Sequence, residues 1–263
     1  MKKQKNPDIV KSQAFKDFFL TPSAYRLDTR FVLRDGKKHP VAVICPGGGY
    51  FKVCSFIEGV PFARYLNERG ISAVIVYYRV GKKAAYPAPQ DDLARAVREV
   101  YARAEELNLD LSKGYSLWGS SAGGHLAASF CTEHMGCAKY QLPKPAVLIL
   151  TYPVITMERE LSHKDTHDLL IGQNASRERE DFASVEKHVT GVYPPTYIWC
   201  GDSDKTVPPE NTRRMAAALE KAGVRYKCEI FPGVDHGVGP GTGTAAQGWL
   251  AHAVEFWKSV TEA

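Results

Sequence analysis

The chain has 263 residues, of which 44% are hydrophobic and 24% charged, and 34 basic against 29 acidic side chains leave a net charge of +5. Such a length and balance suit a soluble α/β domain with a sizeable core. No apolar run approaches membrane-spanning length, and no basic stretch is interleaved with aromatics, so neither a membrane nor a nucleic acid is expected as a partner.

The first sixteen residues hold a mild basic excess (Lys2, Lys3, Lys5, Lys11, Lys16) that reads as a solvated, partly frayed terminus. The following FKDFFL is too short and too charged for the apolar core of a secretory signal, so a cytoplasmic location is expected. YRLDTRFVL (25–33) partly alternates and suits an outer antiparallel strand. VAVIC (41–45) is a continuous apolar run stopped by Pro-Gly-Gly-Gly, the pattern of a strand buried on both faces. Residues 58–69 carry Val60, Phe62, Ala63 and Leu66 at helical spacing, with Gly70 as the stop.

ISAVIVYY (71–78) predicts the next buried strand, and DDLARAVREVYARAEEL (91–107) an amphipathic helix opened by two acids. GYSLW predicts a short strand, residues 122–131 a helix, and AVLILTYP (146–153) another buried strand. Residues 155–191 are polar and lack a strand, so they are expected to form a small cap inserted between core elements. The alternation then resumes with TYIWCG (196–201), a helix near 209–222, YKCEIF (226–231) and a last helix near 245–259. Strands alternating with helices predict a mainly parallel, doubly wound sheet with helices on both faces, formed by a single domain over 1–263. The six cysteines (45, 54, 131, 137, 200 and 228) include no C-x-x-C and are expected to be reduced.

In such a sheet the ligand site lies outside the carboxyl ends of the strands, and four loops there carry chemistry. Gly119-Ser120-Ser121-Ala122-Gly123 is a G-x-S-x-G match between a strand and a helix, the pattern of a strained turn that exposes a serine. Only Ser121 has glycine at both required offsets, because Trp118 stands two before Ser120. A serine hydroxyl needs a base, an acid to orient that base and donors for the oxyanion. His236 in IFPGVDHGVG follows the final strand and is the expected base. WCGDSDKTVPP follows the penultimate strand and offers two acids, of which Asp204 at the loop apex is preferred to Asp202. CPGGGY (45–50) ends a buried strand, and the N–H groups of Gly48, Gly49 and Ala122 are the expected oxyanion donors. His125 lies one turn along the helix from Ser121 and is expected to pack rather than to face the hydroxyl.

With these motifs in chain order, the sequence resembles the α/β-hydrolase superfamily and, more narrowly, the small bacterial esterases described as acetyl xylan esterase-like. The stretches that carry the resemblance are CPGGGY with Ser55 and Glu58-Gly59, YPAPQDDLARAVR, GSSAGGHLAAS, TYPVI, CGDSDKTVPPEN and FPGVDHG, spread over about 45 to 240. Pro46 stands where the hormone-sensitive-lipase type has a histidine before its glycines.

The resemblance implies Ser121 as nucleophile, Asp204 as acid, His236 as base and an oxyanion hole of Gly48, Gly49 and Ala122. It also implies acetyl or other short acyl esters of sugars or xylo-oligosaccharides as substrates. The serine mechanism itself requires no cofactor, and a homo-oligomer is left open. Tyr50 and Tyr152 are candidate walls of the pocket. SHKDTHD (162–168) could gather a metal, but His163 is expected to line the acyl or sugar pocket instead. The competing readings are a peptidase of the same fold and a non-catalytic binding protein on a hydrolase scaffold.

Overall fold

The computed structural model describes residue 22 and residues 24–262. Lys2, Lys3, Lys5, Lys11, Lys16 and the FKDFFL stretch lie outside the described residues. The strands are β1 (Arg26–Asp28), β2 (His39–Cys45), β3 (Ser72–Tyr77), β4 (Leu109–Asp110), β5 (Ser116–Ser120), β6 (Val147–Thr151), β7 (Thr196–Gly201) and β8 (Tyr226–Phe231). They join in the order β1-β3-β2-β5-β6-β7-β8, with β4 paired to the start of β2. Only β1 runs antiparallel, against β3; every other pairing is parallel.

The central parallel strands follow the apolar runs of the sequence. Strands β3, β5, β6 and β7 are buried along their whole length, as a sheet covered on both faces requires. Between them run α1 (Ser55–Glu58), α2 (Val60–Asn67), α3 (Ala88–Ala102), α4 (Ser121–Ser129), α5 (Lys164–Leu170), α6 (Arg177–Ala183), α7 (Glu210–Lys221) and α8 (Trp249–Thr261). Neighbouring residues of a strand point to opposite faces. Trp118 of β5 meets Trp249 of α8, with ring centroids 6.2 Å apart, whereas a side chain at Gly119 would run into Ala127 of α4. The helices α4 and α8 therefore cover opposite faces, and the sheet is doubly wound.

The expected outer strand over 25–33 shortens to three residues. Asp28 turns its carboxylate onto the amide and guanidinium of Arg30, and the chain leaves the ladder there. The helix expected over 58–69 divides into α1 and α2 about Gly59, so that Glu58 closes the first helix and faces the interior. Segment 155–191 carries α5, α6 and a 3-10 turn at Val185–His188. It is clamped to α7 by one buried side chain, Asn211. The Asn211 Oδ1 accepts from the amides of Ile155 (2.9 Å) and Thr156 (3.1 Å), and its Nδ2 donates to Leu161 O and Pro208 O.

The chain leaves β2 toward β3 on one side and returns to place β5 on the other. The order of the sheet reverses between β2 and β5, so the loops after these two strands diverge and open a crevice at their carboxyl ends.

Candidate active site

At that crevice β5 ends and α4 begins without a spacer. Ser121 takes the turn at φ 52°, a left-handed conformation in which a residue other than glycine is strained. The flanking glycines make the turn sterically feasible. A Cβ at Gly119 would stand 2.4 Å from Gly123 O, and one at Gly123 only 2.2 Å from Cys45 O. Strand, helix and the end of β2 approach too closely for any side chain at either place. Ser120 points the other way, where its hydroxyl accepts from Thr151 Oγ1 at 2.7 Å.

The loop after β8 brings His236 over the serine. Its Nε2 lies 2.9 Å from Ser121 Oγ, and its Nδ1 lies 2.6 Å from Asp204 Oδ2. The second oxygen of Asp204 accepts the amides of Thr206 (2.9 Å) and Val207 (2.8 Å), which fixes the carboxylate plane. The Asp204 side chain is fully buried. Asp202 instead accepts from Gly233 N and Ser203 Oγ and does not reach the imidazole. Three side chains that are 32 and 115 residues apart in sequence thus form one continuous hydrogen-bonded chain.

Gly48 and Gly49 line the same cleft as Ser121 and His236, and Ala122 sits buried in the first turn of α4. Among the described residues, no acceptor is paired with the amides of Gly48, Gly49 or Ala122. The loop carrying the two glycines is braced from beneath. Tyr78 donates to Pro46 O at 2.5 Å, the Gly47 amide donates to Glu58 Oε2 at 2.8 Å, and the Tyr50 hydroxyl lies 3.1 Å from His125 Nδ1.

The cleft holds about 330 Å³, and Phe51, Ile57, Glu58, His163 and Asp165 contribute to its walls. A second cavity of about 470 Å³, lined by Pro40, Arg69, Lys113 and Trp257 among others, contains none of the three hydrogen-bonded residues.

His163 reaches the cleft from the segment between β6 and β7, and burial lowers its pKa. Its Nδ1 lies 3.0 Å from Thr166 Oγ1 at the start of α5. The rest of the 162–168 cluster diverges. His167 is buried between Asp168 (2.9 Å) and Glu180 (3.2 Å), away from His163. No three His, Cys, Asp or Glu side chains among the described residues are grouped to hold a metal.

Neither tyrosine lines the cleft. Tyr50, at φ 56°, is fully buried, packed edge-on to Tyr78 and bonded to His125. Tyr152 lies beneath His236, edge-on at 4.8 Å, and its hydroxyl oxygen accepts the Gly239 amide at 3.2 Å. His125 packs inside, as its place in the helix suggests, and burial lowers its pKa to about 4.

Sequence reasoning did not single out Glu58 as a wall of the cleft or Asn211 as a clamp. Glu58 stands at the start of the predicted helix, where an acid is expected on helix-dipole grounds, and the available signal is its place beside Gly59 in the stretches that carry the resemblance.

Comparison with known proteins supplies the family. A family model described as BD-FAE matches residues 27–219. The chain is 32% identical over 229 residues to the endo-1,4-beta-xylanase B of Butyrivibrio fibrisolvens, covering 83% of this chain and 35% of that protein. It is 30% identical over 204 residues to the acetylxylan esterase of Xylanibacter ruminicola, covering 75% of this chain and 40% of that one. The chain therefore spans well under half the length of these two curated relatives. The crystal structure of an acetyl ester-xyloside bifunctional hydrolase from Caldicellulosiruptor lactoaceticus superposes with a TM-score of 0.79 at 31% identity, covering 88% of this chain and 86% of that one.

Proposed function

Starting from a chain that belongs to the BD-FAE family and has the α/β-hydrolase fold, we propose that it is a serine carboxylesterase that removes acetyl or other short acyl groups from xylo-oligosaccharides or related sugars. The observation that carries this reading is the hydrogen-bonded chain from Ser121 Oγ through His236 to Asp204 beside unpaired backbone amides.

Each part has a chemical task. His236 Nε2 takes the Ser121 proton as the oxygen attacks the ester carbonyl. Asp204 holds the Nδ1–H tautomer and stabilises the imidazolium that forms. The negative oxygen of the tetrahedral intermediate falls to the amides of Gly48, Gly49 and Ala122, each worth about 2.7–4 kcal/mol where such donors have been removed. The protonated imidazole then gives its proton to the departing alcohol. Water attacks the acyl-enzyme by the same route in reverse. No step calls for a cofactor.

The sugar side of the proposal is supported by the acetylxylan esterase relative and by the acetyl ester-xyloside hydrolase structure. It is supported as well by the polar walls, where His163 and Asp165 can hydrogen-bond hydroxyl groups.

Release of p-nitrophenol from p-nitrophenyl acetate tests the chemistry. Ser121→Ala is expected to lower kcat roughly a millionfold while the protein stays folded. Full activity in that variant would remove Ser121 from the mechanism. Acetate released from acetylated xylo-oligosaccharides, set against simple alkyl acetates, tests the substrate class.

A further inference from the structure

Glu58 has no task in the mechanism above, yet among the described residues that line the cleft it is the buried carboxyl. A side chain built at Gly47 would stand 2.7 Å from both Glu58 Oε2 and Ser121 Cβ, so the carboxyl and the serine flank the same glycine. Glu58 joins loops that are remote in sequence. On one side its Oε2 accepts the Gly47 amide at 2.8 Å, one residue before the oxyanion donors. On the other side the Tyr152 hydroxyl interacts with the same carboxyl and opposes the rise of its pKa. That hydroxyl oxygen accepts the Gly239 amide, three residues beyond His236, and the Tyr152 ring supports the imidazole edge-on. The backbone of the base loop also rests on the helix that carries Glu58: a side chain at Gly239 would stand 2.7 Å from Ile57 O.

We propose that Glu58 is a positioning residue that, through Tyr152, locks the loop of the oxyanion donors to the loop of the base. This rests on the serine esterase reading, in which the amides of Gly48 and Gly49 and the imidazole of His236 must meet the same carbonyl carbon. Those groups hang from β2 and β8, four strands apart in the sheet. A shift of about 1 Å between catalytic groups can cost on the order of a hundredfold in rate, and a shared buried carboxyl with a tyrosine bridge removes that freedom. Burial raises the Glu58 pKa, the Tyr152 hydroxyl and the Gly47 amide oppose that rise, and burial also raises the Tyr152 pKa. A glutamine should therefore replace the acid well, and an apolar side chain should not.

Turnover of p-nitrophenyl acetate by Glu58→Leu, Glu58→Gln, Tyr152→Phe, the Glu58→Leu/Tyr152→Phe double variant and Ser121→Ala tests the inference, with folding checked by near-UV circular dichroism. Glu58→Leu is expected to lose about a hundredfold in kcat with KM held within about threefold. Glu58→Gln is expected to recover most of that loss. Tyr152→Phe is expected to lose about tenfold in kcat, and the double variant to be no slower than Glu58→Leu, because both changes break one bridge. A folded Glu58→Leu with unchanged kcat, a loss that falls on KM, or additive losses in the double variant would overturn the inference. If Glu58→Leu does not fold, Tyr152→Phe decides alone: a kcat loss at constant KM upholds the bridge, and unchanged kcat removes it. Ser121→Ala separates the two levels. Its retained activity would overturn the esterase mechanism itself, whereas an inactive Ser121→Ala beside a fully active Glu58→Leu would overturn only the role of Glu58.

Discussion

A single imidazole away from the chemistry shows how burial sets behaviour at the level of one residue. His125 is enclosed between the Tyr50 hydroxyl, 3.1 Å from its Nδ1, and Ala183 O, 2.8 Å from its Nε2. The carbonyl can only accept, so Nε2 carries the proton and Nδ1 takes the bond from tyrosine. Burial lowers its pKa from 6.5 to about 4, and the bond to Ala183 opposes that shift only in part. The unfolded chain therefore binds a proton between pH 6.5 and 4 that the folded chain refuses. Stability contributed by this residue is complete above pH 6.5 and is lost as the pH falls toward 4, on the order of 3 kcal/mol in total. His125→Asn keeps an acceptor for Tyr50 and has no such titration. Urea unfolding of both proteins at pH 7 and pH 5 should show a smaller pH-dependent loss in the variant, and equal losses would refute the assignment. The same environment explains why the elbow helix carries a histidine that takes no part in proton transfer.

Among the elements, the start of the segment between β6 and β7 is tied to α7 by Asn211. Asn211 supplies the acceptor for two buried amides at its start and the donor for Leu161 O further along. Asn211→Ala would leave the Ile155 and Thr156 amides without that acceptor, and a loss of about 3 kcal/mol is expected from the unfolding free energy. A denaturation midpoint indistinguishable from wild type would contradict that clamp. The sequence announces some of these elements and conceals others. TYIWCG and YKCEIF are strands over the residues expected, the first a run buried at every position and the second a half-exposed strand at the edge of the sheet. The two-residue β4 has no periodicity to show, and the outer strand shortens because of an Asp28–Arg30 pairing that propensity does not register. The serine, acid and base were legible because small residues and strand ends surround them at fixed offsets. Tyr50 and Tyr152 were misplaced as cleft walls. Both sit at positive φ, 56° and 37°, with their rings buried, and no local pattern in the sequence announces either.

For the molecule as a whole, all six cysteines are free thiols, and four of them are buried. Burial raises the Cys54 thiol at the cleft to about 11, so it stays protonated at neutral pH and reacts slowly. Thermal unfolding is accordingly expected at the same midpoint with and without dithiothreitol, and a drop on reduction would reveal a cross-link. No helix among the described residues is long and apolar enough to cross a membrane. Ser121, Asp204 and His236 hang from the ends of β5, β7 and β8, whereas His163 and Asp165 arrive on the stretch between β6 and β7. In the proposed esterase, reactivity and selectivity therefore ride on separable lengths of backbone. A chimera that borrows residues 162–188 from a relative and keeps the contacts of Asn211 should still hydrolyse p-nitrophenyl acetate, yet rank acetylated sugars differently. Evolution could retune the menu of such a protein by editing one tethered excursion, leaving the machinery that breaks the bond untouched.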